Sequence, residues 1–148
     1  MRGRVSPAER TALADWLTPA QLDVFDAMPA PDRRHGLDVV ACLRSPGATD
    51  QELLVAGLLH DCGKGPGIRL VHRVAWSLGE NYGAWIWRGA GVLPTFERAL
   101  GQLRDHAERS ARLAERSGCS PRTVELIRHQ DEPVDEAGRL LHEADEAN

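Results

Sequence analysis

The stretch LVAGLLHDCGKGPG, Leu54 to Gly67, decides how this chain is read. Its first half is aliphatic without a polar break, and it ends abruptly in His60-Asp61, then Gly63-Lys64-Gly65. An unbroken apolar run of this length reads as a buried helix. Its end therefore delivers an imidazole and a carboxylate side by side, with an ammonium three residues on. Thr49 to Glu52 has the form of a capping box and opens the helix, which sets Leu53, Ala56 and His60 on one face.

Working outward, the punctuation is helical throughout. Ser6-Pro7-Ala8-Glu9 and Thr18-Pro19-Ala20-Gln21 read as capping boxes with proline at the first helical position. Ser120-Pro121 opens another helix and Gly118 closes the one before it. The expected helices lie near 7–17, 19–28, 31–44, 50–61, 68–79, 94–117, 121–130 and 134–147. No period-two alternation is long enough to call a strand, and there are no repeats or low-complexity tracts. The expected fold is all-α, a single-domain helical bundle.

Bulk properties bound the function. A chain of 148 residues with 42% hydrophobic content suits one domain with a sizeable core. The net charge of −4 provides no basic field for a nucleic-acid polymer, so an anionic ligand must be attracted locally. The N-terminus lacks the apolar centre of a signal peptide, and Leu53 to Leu59 is too short for a transmembrane segment. Cys42, Cys62 and Cys119 are odd in number and lack zinc-finger spacing, which fits a reduced, cytoplasmic location.

Of the six histidines, His35, His60, His72, His106, His129 and His142, four are placed where they can meet. His60 ends an apolar helix. His106 shares a face with Leu103, Ser110 and Leu113, His129 follows Leu126 by three residues, and His35 begins a helix whose inner side is Val39 and Cys42. Asp145 lies one turn after Leu141. Helix bundles build metal sites from side chains on facing helices. Imidazole and carboxylate donors suit Mn, Fe, Co, Ni or Zn. Spacing alone leaves a metal site and an ordinary core both open. Lys64 adds a further signal, because it is the only lysine beside 17 arginines. A compact ammonium beside a cation site suits a phosphoryl oxygen. Arg109, Arg112 and Arg116, interleaved with Glu108 and Glu115, read as a solvated helix face.

HDCGK resembles the signature of the HD-domain metal-dependent phosphohydrolases, and the resemblance runs from about residue 30 to the end. The family's order of a first histidine, a His-Asp pair and a distant aspartate maps onto His35, His60-Asp61 and Asp145, the last in LLHEADEAN. A binuclear subset adds two histidines between, where His106 and His129 stand. The order is similar to that of the symmetrical diadenosine-tetraphosphate hydrolases, although the interval from Asp61 to His106 is longer. The cyclic-dinucleotide phosphodiesterase branch shares HD-x-GK but carries His-His-Glu and Gly-Tyr-Pro downstream. Here Gln130 follows His129 and there is no Gly-Tyr-Pro.

The resemblance implies two divalent transition metal ions per chain. His35, His60, Asp61 and Asp145 would hold one, and Asp61 would bridge to a second held by His106 and His129. It implies hydrolysis of a phosphate ester or anhydride of a small, nucleotide-like substrate by metal-activated hydroxide. Asp61 and Lys64 are then the catalytic residues, with Lys64 binding substrate or protonating the leaving group. An HD-fold di-iron oxygenase and a non-catalytic nucleotide-binding or interaction domain are the alternatives. The implied organisation is a helical extension over residues 1–30 packed on an HD domain over 31–148. That domain carries a Trp/Gly-rich insert near 76–94, whose composition suits an aromatic plug, a lid that stacks on a base, or a membrane-surface or partner-docking patch.

Overall fold

The computed structural model describes residues 4–64 and 105–148. Among these the chain forms seven helices and no strand: α1 (Pro7–Leu13), α2 (Pro19–Ala27), α3 (Ala30–Arg44), α4 (Gln51–Leu59), α5 (His106–Arg116), α6 (Pro121–Arg128) and α7 (Glu136–Glu146). The all-α bundle is as expected. The helix expected over 68–79 and the insert near 76–94 lie outside the described residues, as does the first part of the helix expected over 94–117.

Local chemistry sets the helix ends. Ser6 and Thr18 each accept the backbone N–H three residues on, and Glu9 and Gln21 return the bond, so both capping boxes form as expected. The third box is displaced by one residue. Asp50 caps α4 by accepting the Glu52 N–H at 2.9 Å, because its carboxylate sits next to the free N–H groups with a stronger acceptor than the Thr49 hydroxyl. α5 closes as Gly118 signals. Gly118 has φ +77°, its N–H reaches Glu115 O, and the Cys119 N–H reaches Ala114 O, both at 3.0 Å.

α4 is buried along Leu53–Leu59 on every side, not on one face alone. It packs against α2, α3, α6 and α7 and so forms the axis of the bundle. It also stops at Leu59, earlier than the sequence suggested, and His60–Lys64 form a turn in which Lys64 N bonds to Asp61 O. One apolar cluster joins Leu13 of α1, Leu22 and Phe25 of α2, Val39 and Leu43 of α3, Ala111 of α5, Ile127 of α6 and Leu141 of α7 to the α4 leucines. No helix among the described residues is long and apolar enough to cross a membrane.

Two glycines set how closely the helices approach. A Cβ on Gly36 would lie 2.5 Å from the Leu58 carbonyl oxygen, so α3 and α4 cross in backbone contact only because residue 36 is glycine. A Cβ on Gly63 would strike Ser110 N and lie 2.7 Å from His106 O, which brings the turn after α4 against the first turns of α5. These two approaches carry His35 to His60 and His106 to Asp61.

Candidate metal centre

The site is assembled at the C-terminal end of α4. His60 is its C-cap, and Asp61 follows in the turn. Both are buried, with 1% of each side chain exposed. His60 Nδ1 lies 2.9 Å from the Gly57 carbonyl. A carbonyl only accepts, so Nδ1 carries a proton, and Nε2 is the ring nitrogen turned to the site. A metal-ligating imidazole is oriented in the same way.

α3 and α7 complete the cluster. His35 Nε2 donates to Asp145 Oδ1 at 2.7 Å, and the His35 and His60 rings meet edge to face with centroids 5.2 Å apart. One donor atom each from His35, His60 and Asp145 lies within 4.8 Å of the others, a set that can hold a metal ion. Asp61 stands beside it, with Oδ1 3.5 Å from His60 Nε2 and Oδ2 3.9 Å from His35 Nε2. His60 Nε2 is 3.3 Å from Asp145 Oδ1, but the angle does not make a hydrogen bond. Nε2 of His60 and Oδ1 of Asp61 are thus buried and have no hydrogen-bond partner among the described residues. A buried donor or acceptor left unmade costs about 1–3 kcal/mol, and more where charge is involved. Facing orphan atoms of these two types fit a cation between them.

The electrostatics agree. Burial is the largest single influence on His60 and opposes its charge, yet Asp61 and Asp145 together outweigh it and push the imidazole up to about 9. Burial, again the largest influence, favours a neutral Asp61, but His60 and Lys64 hold its carboxyl down to about 2. Asp145 lies well below the usual carboxylate range; its partial burial opposes this, and its hydrogen bond to His35 with the nearby charge of His60 prevails. Without a metal, the His60 imidazolium and the Lys64 ammonium balance the two carboxylates, and a cation on Nε2 would take the place of the imidazole proton.

Not all of the expected ligands converge equally. His106, the first residue of α5, has Nε2 4.0 Å from Asp61 Oδ1, on the side of the orphan oxygen. His129 is the half-buried C-cap of α6, with its backbone N–H on Glu125 O. It stands outside the three-residue donor set of His35, His60 and Asp145. Lys64 folds back to place Nζ 2.6 Å from Asp61 Oδ2. His142 is a supporting residue: its Nδ1 donates to the Gln130 carbonyl at 3.0 Å. His72 lies outside the described residues.

Two supporting residues carried no signal strong enough to be singled out. Buried Gln130 donates through Nε2 to the His60 carbonyl at 3.2 Å and ties the α6 end to the α4 end. Ser110 Oγ accepts the Gly63 N–H at 2.8 Å, which fixes the turn that carries Lys64. Ser110 lies four residues after His106 on the same helix face, and Gln130 adjoins His129. Comparison of the chain with protein-family models, with curated proteins and with solved structures gives no match.

Proposed function

We propose that the chain is a metal-dependent phosphohydrolase of the HD type, cleaving a phosphate ester or anhydride of a small, nucleotide-like substrate. The observation that carries the reading is the pair of facing orphan atoms, His60 Nε2 and Asp61 Oδ1, at the centre of a His35–His60–Asp145 cluster. Supporting it is the order of residues along the chain, which resembles the family's His, His-Asp and Asp pattern with Gly-Lys after the pair. On this reading His35, His60, Asp61 and Asp145 hold one divalent transition metal ion, and Asp61, His106 and His129 belong to a second. Such ions supply Lewis acidity and lower the pKa of water to the neutral range.

The chain's own residues do the rest. Buried Asp61 keeps its charge through Lys64 and His60 and fixes the geometry at the helix end. His60 is orientated by the Gly57 carbonyl, so its ring needs no rearrangement to ligate, while His35 Nε2 would exchange its proton and its bond to Asp145 for the metal. Lys64 brings the one ammonium of the chain to the site, where it binds a phosphoryl oxygen or protonates the leaving group. Residues 31–148 form the catalytic unit in this proposal, and residues 1–30 a helical extension on it.

Elemental analysis of the purified protein, paired with a panel of nucleotide and phosphodiester substrates, tests the reading. The expected result is at least one transition metal per chain and metal-dependent phosphate release. Protein that retains no metal after incubation with Mn, Fe, Co, Ni or Zn, or metal-loaded protein that consumes dioxygen and releases no phosphate, overturns it.

A further inference from the structure

Lys64 does not extend away from the site. Its Nζ is 2.6 Å from Asp61 Oδ2, with 15% of the lysine side chain exposed and 1% of the aspartate. The two Asp61 oxygens are thereby divided. Oδ1 has no hydrogen-bond partner among the described residues and faces His60 Nε2 at 3.5 Å and His106 Nε2 at 4.0 Å. Oδ2 holds the ammonium, with His35 Nε2 3.9 Å away. A carboxylate that serves one cation needs one oxygen, and one that bridges two needs both. An ammonium at hydrogen-bond distance and a divalent cation cannot share Oδ2, because their like charges repel strongly where little water screens them.

We infer that Lys64 is a built-in competitor for the second cation: its ammonium reserves Asp61 Oδ2, and the second ion binds only by displacing it. This rests on the metal-centre reading above and adds an order to it. With the Lys64 pair intact, Asp61 has one oxygen to offer and would serve one cation, held with His35, His60 and Asp145. A second would need the other oxygen as well and so would release the ammonium, which is then available to an anion. The centre therefore exposes its one lysine only when both cations are in place. An anion that takes the released ammonium tightens the second cation by linkage.

The test needs no activity, and the single lysine makes it readable. Intact protein is stripped of metal and titrated with Mn2+, while the acylation rate of the Lys64 amine is followed by peptide mass spectrometry. The first equivalent of Mn2+ should leave that rate unchanged, and the second should raise it about tenfold, as a released ion pair no longer shields the amine. In parallel, Lys64→Met keeps the length of the side chain without the charge. Its second Mn2+ should bind about tenfold tighter or more than in the unaltered chain, with the first little changed. A second site in Lys64→Met alone is the same result at its limit. A rise in acylation with the first equivalent, equal second-site affinity in both proteins, or one Mn2+ in both, overturns the competition while leaving the metal centre standing. No Mn2+ in either protein removes the metal centre and this inference together. The labelling arm stands by itself should Lys64→Met fold poorly.

Discussion

Asp61 has four neighbours that each ask something different of one carboxylate. Lys64 requires a full negative charge on Oδ2, while His35, His60 and His106 all present Nε2 within 4.0 Å of one or other oxygen. An amide of the same shape cannot satisfy them, since its NH2 presents donors where an acceptor is needed. Asp61→Asn should therefore lower metal affinity by more than about 100-fold, beyond the 10–100-fold that loss of a supporting partner brings. The measurement is metal content after dialysis against a weak chelator, with the far-ultraviolet circular dichroism unchanged. His142→Ala makes the contrast. It removes one hydrogen bond to the Gln130 carbonyl and no ligand, so it should cost about 1 kcal/mol in denaturant unfolding and keep the metal. Equal metal loss in the two variants would mean that Asp61 acts only through the packing of the helix end.

At the scale of elements, the capped helix starts were legible because caps are local. Ser6 with Glu9 and Thr18 with Gln21 lie within four residues of one another, and each box can be read without knowing the rest of the chain. What could not be read is which helices touch. The crossing of α3 over α4 depends on Gly36 meeting the Leu58 carbonyl, two positions 22 residues apart in sequence whose proximity no local pattern announces. Gly36→Ala must separate two backbones and should destabilise the fold by about 1–3 kcal/mol in denaturant unfolding. Gly63→Ala must push α5 from the turn after α4, since every near atom is backbone. Its expected signature is specific: loss of the ordered second-cation affinity through displaced His106, with the first cation retained. The tie from α1 to α3 answers to pH instead. Arg34 lies 2.6 Å from Glu9 Oε1 and, as the largest influence, holds the Glu9 carboxyl down to about 2. Stabilisation by this pair is complete above the ordinary value of 4.5 and is lost as pH falls towards 2. The difference in unfolding midpoint between the natural chain and Glu9→Gln should accordingly shrink from pH 5 to pH 2; a constant difference would show that the pair is not the source.

For the molecule as a whole, the candidate site was legible in its residue types and in their order, and less so in its assembly. His35, His60, Asp61 and Asp145 were marked by apolar-face placement and by the resemblance. The pairing of Asp61 Oδ2 with the Lys64 ammonium needed the turn at His60–Lys64, which the sequence had placed partly inside the helix. The organisation of the chain raises a related question: whether residues 1–30 are an accessory layer or part of the unit that holds the site. Phe25 of α2 is fully buried, and it belongs to the same apolar cluster as Leu58 and Leu59, which immediately precede His60. Removing its ring leaves a cavity in that cluster, at a cost of about 3–5 kcal/mol. If the described helices unfold as one unit, that cost must be felt by the metal site as well as by α2. Phe25→Ala should then lower the denaturant midpoint equally when followed by circular dichroism and by release of bound metal, with a single transition in each. Separate transitions, with metal release unmoved, would place residues 1–30 outside the cooperative unit and leave the site resting on α3 to α7 alone.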